Sequence, residues 1–336
     1  MNIANFTLEQ LAGQRIMAGF EGTELDSDLK FLIDTLMVGG LILFSGNLSN
    51  PEQIKELCSS AQAYAASCGQ PPLFIAIDQE GGEVARLKKP FTQFSGNPHM
   101  KSEKDAEEFA AIAAKELSGV KINMNMAPVM DVACRSVESV MKGRAFGDNP
   151  AWVSKMGVTV IKRLQKSGIM AVAKHFPGIG RTILDSHIDM PFLKVDPEAL
   201  FAFDLPPFEA AINNGVVGIM LSHILYSGID REWPASLSTV IAKDLLRVKM
   251  GFDGLIMTDD IDMGSIAGRY DIKTIIKRIL LADIDLVLVC HKGPWIESAF
   301  NEILCSMEQF RSVVEDGRES VVRIMRQKER FLYDIS

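Results

Sequence analysis

The chain is short of cysteine, tryptophan, tyrosine and histidine, and these shortages narrow what it can be. Its five cysteines (Cys58, Cys68, Cys134, Cys290, Cys305) form no CxxC pair and are odd in number. A disulfide framework is therefore excluded, and reduced, mostly buried thiols of a cytosolic protein are expected. The five histidines show no HxH or HExxH spacing, so no metal site is expected. Gly81-Gly82 and the Gly178/Gly180 pair lack the spacing of a phosphate-cradling loop, and no cofactor is expected. No apolar run approaches the ~20 residues a membrane span needs. The first ten residues carry neither a basic nor an apolar signal region, so the expectation is a cytoplasmic protein without membrane contact. A formal net charge of −8 removes the electrostatic basis for nucleic acid as the main partner.

What the chain has is apolar residues, 47% of the total, arranged in short runs with amphipathic stretches between them. The runs at 15–20, 39–44, 73–77, 122–126, 170–173, 218–222, 254–257 and 285–289 read as strands. The stretches at 24–37, 51–66, 102–120, 151–167, 197–213, 238–249 and 273–282 read as helices. Pro51 and Pro197 stand where a first helical turn tolerates proline, Ser102 suits an N-cap, and Gly168 and Gly215 follow helices as C′ residues. Eight unbroken βα repeats with no linker or composition shift predict a single (β/α)8 TIM-type barrel domain over 1–336, with closing helices at about 295–330. The seventeen methionines scatter along the chain and read as core filler.

In such a barrel the functional groups sit at the C-terminal ends of the strands. Unusual polar residues fall there five times: Asp78-Gln79-Glu80 with Arg86 after the third run, Asn125 to Asp131 after the fourth, Lys174-His175 after the fifth, Ser222-His223 after the sixth, and Thr258-Asp259-Asp260 after the seventh. Any one could be a helix cap or a rim ion pair; Asp259 or Asp260 could cap the helix that follows. Five on one rim favour a site. The stretch from Lys174 to His187 adds a loop in which Asp185 stands two residues from His187, close enough for the carboxylate to orient the imidazole as a proton-transfer dyad.

These residues resemble the β-N-acetylglucosaminidases of glycoside hydrolase family 3. KHFPGIGRTILDSHIDMP (174–191) is similar to that family's KHFPGHG…DSH…P signature. Asp78-Gln79-Glu80-Gly81-Gly82 with Arg86, Gly143-Arg144-Ala145-Phe146-Gly147, and the segment from Gly251 to Asp260 resemble three more of its motifs, in order. Pro234 to Ser238 and Gly39 to Phe44 also fit, so the likeness runs from about residue 8 to 290. The resemblance implies Asp259 as nucleophile, His187 as acid/base with Asp185 as its partner, and Asp78, Arg86, Arg144, Lys174 and His175 as the residues holding a terminal N-acetylglucosamine. The wider family often carries its acid/base on a second domain; this chain is too short for one, which fits the single-domain subgroup that uses the loop dyad. Ile179 and Arg181 depart from the pattern, where the family usually has His and Asp.

The implied reaction is a retaining double displacement on a small-molecule carbohydrate, with the apparent location leaning toward recycled cell-wall (peptidoglycan) fragments. A related β-glycosidase, a phosphorylase using the same residues and a non-catalytic sugar-binding relative remain open readings at this point. Oligomeric state is unreadable from the sequence.

Overall fold

The computed structural model of the chain describes residues 3–134, 136–182 and 192–333. Eight parallel strands close into a barrel in which each lies beside its sequence neighbour and the first pairs with the last. They are β1 (Ile16–Gly19), β2 (Gly40–Leu43), β3 (Phe74–Ile77), β4 (Met124–Asn125), β5 (Met170–Phe176), β6 (Gly218–Leu221), β7 (Leu255–Asp260) and β8 (Leu286–Val289). The eight expected runs are the eight barrel strands. Each is buried on both faces, which is why they read as nearly continuous apolar runs rather than alternating ones.

Two cores follow from the strand period of two. Inward residues such as Phe74, Ala76, Met170, Val172, Leu255 and Met257 pack together in the lumen, whereas Ile75, Ile77, Ala171, Ala173 and Ile256 face the helices. The methionines converge in space as the sequence does not show: Met17, Met124, Met126, Met170, Met220 and Met257 all lie in the lumen. An unbranched thioether fills a tapering interior well. Ile324 and Phe331 from the C-terminal segment close the lumen at its N-terminal end.

The helices begin where local chemistry supplies a cap. Asn50, Ser102 and Asn149 each accept a backbone N–H from the first turn of Pro51–Ser67, Glu103–Gly119 and Pro150–Lys166. Gly168 and Gly215 follow their helices with φ of +81° and +70°, the left-handed geometry expected of C′ residues. The closing segment is two helices, Pro294–Gln309 and Arg311–Lys328.

Several expectations need correction. The helix expected at 24–37 is only Ser27–Asp34, because Asp26 caps it late. The helix expected at 197–213 is interrupted: a short turn and a π-helical stretch, Leu200–Asp204, precede Pro206–Asn213. Pro206 and Pro207 have no N–H to continue the ladder. The thiols are not mostly buried: Cys58 and Cys290 are, Cys134 is half-buried, and Cys68 and Cys305 are exposed. Neither Asp259 nor Asp260 caps the next helix, Gly264–Ala267, which follows Met263. Among the described residues no helix is long and apolar enough to cross a membrane.

Candidate active site

The same alternation that fills the lumen aims polar groups into its mouth. One step beyond inward Ala76 lies Asp78, beyond Val172 lies Lys174, and beyond Met257 lies Asp259. Irregular register at the ends of β5 and β7 brings two more groups to the same rim, His175 and Asp260. The Lys174–His175 peptide bond is cis. Asp78, Arg86, Arg144, Lys174, His175 and Asp259 line one cavity of about 360 Å³ at the C-terminal end of the barrel. Six of the eight residues singled out from sequence therefore meet in space. Asp185 and His187 lie outside the described residues.

A buried ion network forms the floor. Lys174, its side chain 3% exposed, places Nζ 2.7 Å from both Asp78 Oδ1 and Glu80 Oε1. Arg144 donates to both oxygens of Glu80, from Nε at 3.0 Å and Nη2 at 2.7 Å. Arg86 Nη2 approaches Asp78 Oδ2 at 3.4 Å, and its guanidinium lies over the Phe44 ring. Burial pushes the Asp78 carboxyl up, but Lys174, Arg86 and Arg144 outweigh it and hold it at about 2. Glu80 is likewise held below the carboxylate range, burial being outweighed by Lys174 and Arg144. Burial pulls the Lys174 ammonium down, but Asp78 and Glu80 outweigh it and raise it above its ordinary value. Asp78, Glu80, Lys174 and Arg144 thus stay charged, presenting fixed donors and acceptors to whatever enters the cavity.

His175 is set by Asp131, which is fully buried. One Asp131 oxygen accepts from His175 Nδ1 at 2.8 Å and the other from the Ile179 amide at 2.8 Å. With Nδ1–H donating, Nε2 is the imidazole nitrogen left for the cavity. Burial raises the Asp259 carboxyl. His223, His175, the Asp260 amide donating to Oδ1 at 2.8 Å, and Lys174 outweigh it and hold it below the usual range. Its neighbour behaves oppositely. Burial pushes Asp260 up to about 6 although it accepts the amides of Asp262 and Cys290. Two adjacent carboxyls pushed apart in this way can take different duties.

Glu80, Asp131, Phe44 and His291 are the site residues that sequence reasoning did not single out. Glu80 was visible inside the Asp78–Gly82 segment, and Asp131 as a strand-end acid. Phe44 and His291 gave no signal: they come together only because β1 lies between β2 and β8, and their rings stack with centroids 6.0 Å apart. His291 Nδ1 is 3.2 Å from Asp260 Oδ2. Asp260, Asp262 and His291 offer ligand atoms within 4.8 Å of one another, a grouping that no short spacing motif announces. Of the two departures, Ile179 is buried, and Arg181 Nε donates to Asp204 Oδ2 at 2.8 Å with its guanidinium over Phe203.

Known proteins resemble this chain in sequence and fold. The chain is 33% identical over 313 residues to a protein named beta-hexosaminidase from Nitrosomonas eutropha, covering 90% of this chain and 87% of that one. It is 34% identical over 301 residues to beta-hexosaminidase A from Pseudoalteromonas piscicida, covering 79% of this chain but only half of that protein's length. A solved structure, a glycoside hydrolase family 3 beta-N-acetylglucosaminidase from Paenibacillus, superposes with a TM-score of 0.95 at 35% identity, over 98% of this chain and 64% of that one. The sequence profile of the glycosyl hydrolase family 3 N terminal domain matches residues 7–333. With the barrel, the cavity at its C-terminal mouth and these likenesses together, the chain belongs to glycosyl hydrolase family 3.

Proposed function

We propose that the chain is a retaining β-N-acetylglucosaminidase that removes terminal N-acetyl-β-glucosamine from glycosides. The single observation that carries this reading is Asp259: an ionised carboxylate at the mouth of the barrel, facing the charged groups of Asp78, Arg86, Arg144 and Lys174 across one cavity. In the proposed cycle the Asp259 carboxylate attacks the anomeric carbon and the C–O bond to the leaving group breaks. His187 gives its proton to the departing oxygen. Water then attacks the glycosyl-enzyme, His187 takes its proton, and Asp259 is released as a carboxylate. Asp185 holds the imidazole in the working tautomer. Lys174, Asp78, Arg86, Arg144 and His175 grip the sugar in a near-attack position. A neutral-or-cationic acid/base beside an anionic nucleophile avoids the repulsion that two carboxylates would suffer.

The chain is proposed to act as one domain in the cytoplasm, on cell-wall fragments. The names of its relatives, beta-hexosaminidase and beta-N-acetylglucosaminidase, support the activity. The test is hydrolysis of p-nitrophenyl N-acetyl-β-glucosaminide beside the plain glucoside, with the anomer of the first product read by NMR. The N-acetylated substrate should be strongly preferred, the β-anomer should form first, and Asp259→Ala should be inactive. Near-normal activity in Asp259→Ala, or an α-anomer as first product, would sink the proposal.

A further inference from the structure

At the N-terminal pole of the barrel, remote from the catalytic mouth, lies a second cavity of about 510 Å³. It opens between the helices Ile272–Leu281, Pro294–Gln309 and Arg311–Lys328. Its walls are apolar where Leu280, Leu281, Phe310 and Val313 face it. Leu281 and Phe310 are 51% and 57% exposed at its rim, and Arg15, only 2% exposed, also lines it.

Arg15 belongs to a cluster whose charges do not balance. Asp285, Asp283 and Asp316 act on its guanidinium, and the first two are held by other arginines. Asp285 accepts Arg323 Nε and Arg247 Nη2, each at 2.7 Å. Asp283 accepts Arg323 Nη2 at 2.6 Å and lies 3.3 Å from Arg247 Nε. Among the described residues Arg15 is left with one hydrogen bond, from Nη2 to the Ile284 carbonyl at 2.7 Å, and its Nε has no partner. A buried guanidinium with unmade hydrogen bonds, and with no carboxylate among the described residues within hydrogen-bond distance, is a costly arrangement unless something supplies the missing acceptor. Lys273 and Lys277 stand on the same wall, against Glu302 and Asp316. Three cations face two carboxylates, so the cavity has room for one negative charge.

We propose that this cavity binds a small amphipathic monoanion, a carboxylate carrying a short apolar body. The head group completes the hydrogen bonding of Arg15, and the body lies against Leu280, Phe310 and Val313. The volume falls in the range of small-molecule sites, and the lining has their pattern of apolar walls with a few placed polar groups. The site shares no residue with the catalytic cavity and does not depend on the activity proposed above.

The protein carries its own reporter. Cys305 is exposed and lines this cavity, whereas Cys68 is exposed and lies elsewhere. Maleimide labelling of both is followed by mass spectrometry with octanoate, octanol or octylammonium present. At about ten times its Kd, octanoate should slow Cys305 labelling about ten-fold by mass action and leave Cys68 unchanged. Octanol and octylammonium should protect far less. The double variant Lys273→Glu/Lys277→Glu, which alters only surface charge, should weaken octanoate about ten-fold or more while p-nitrophenyl N-acetylglucosaminide turnover stays at its wild-type level. Equal protection by octanol would reduce the site to an apolar crevice and overturn the proposal. So would undiminished protection in the double variant, absence of protection at saturating octanoate, or Cys305 protection that rises with protein concentration alone, which would assign the cavity to a second copy of the chain.

Discussion

Lys174→Met tests the floor of the active site most directly. The ammonium makes two contacts of 2.7 Å to buried carboxylates, and the partners differ in what they keep without it. Glu80 retains two bonds from Arg144; among the described residues Asp78 retains only Arg86 at 3.4 Å. Asp78 should therefore carry most of the loss. Its carboxyl is held at about 2 against an ordinary 3.8, a depression corresponding to about 2–3 kcal/mol of native stability. Breaking a buried pair from one side costs about 3–5 kcal/mol, and the surviving arginines place the expectation near the lower end. The sign follows from linkage. In the wild type, Asp78's contribution is present above its ordinary 3.8 and is lost only as pH falls toward 2. In the variant, burial is opposed by Arg86 and Arg144 alone, so the same group should rise, and its ionised form should destabilise the fold at neutral pH and be relieved by protonation in acid. Urea unfolding of both proteins between pH 4 and 8 should show a stability difference of about 3 kcal/mol at pH 8 that narrows steadily toward pH 4. A difference below about 0.5 kcal/mol, or one that does not change across this range, would refute the view that Lys174 stabilises the floor through Asp78.

Three further outcomes follow. Asp131→Ala frees both the His175 ring and the Ile179 amide; it should destabilise by about 1–3 kcal/mol and lower kcat/KM, whereas Asp131→Asn should recover most of the stability, as urea titration and steady-state kinetics will show. Burial pushes the Lys328 ammonium, which donates to Gln14 at 2.7 Å, down to about 7 from an ordinary 10.5. The unfolded chain then binds the proton more strongly between those values, so stability should rise with pH across 7 to 10.5, and Lys328→Met should flatten that rise in urea titrations. Because Asp259 is held below the usual carboxylate range, it should produce no acid limb in kcat/KM above pH 4. A His187 proton donor should instead make the rate fall on the alkaline side, and activity still climbing at pH 9 would remove His187 from that role.

The barrel was legible because its strands are buried on both faces and its helices on one, and those two demands leave different periods in the sequence. The fourth strand shows where that reading thins. The apolar run at 122–126 forms only a two-residue ladder, Met124–Asn125, because asparagine side chains take over part of the pairing. Asn123 accepts the Ile75 amide and donates to the Leu73 carbonyl, and Asn125 does the same for the two backbone groups of Gln79. These polar residues inside an apolar run are buried braces to β3. Likewise the helix expected at 197–213 is present but interrupted, since periodicity does not register the turn that Pro206 and Pro207 disrupt.

Within the site, legibility tracked how each side chain reaches the cavity. Asp78, Lys174 and Asp259 arrive by continuing a strand's inward alternation one step past its apolar run, a position that a sequence states directly. His175 and Asp260 arrive through irregular register, which alternation alone would have turned outward; their place beside a strand-end charge marked both, and the family motif marked His175. His291 and Phe44 depend on β2 and β8 flanking β1, a relation nearly the whole length of the chain apart. The consequence concerns substrate choice. Two of the residues assigned to hold the terminal sugar, Asp78 and Lys174, are those that strand geometry dictates, while the stacked pair at the rim, 6.0 Å between centroids, is set by barrel closure and the loops after two separate strands. A barrel can therefore keep its catalytic floor and vary its rim independently. Differences in aglycone preference among relatives should map to the positions of Phe44 and His291 rather than to Lys174 or Asp259. Exchanging His291 for alanine should change relative kcat/KM across glycosides of different leaving groups while the preference for N-acetylglucosamine over glucose stays fixed.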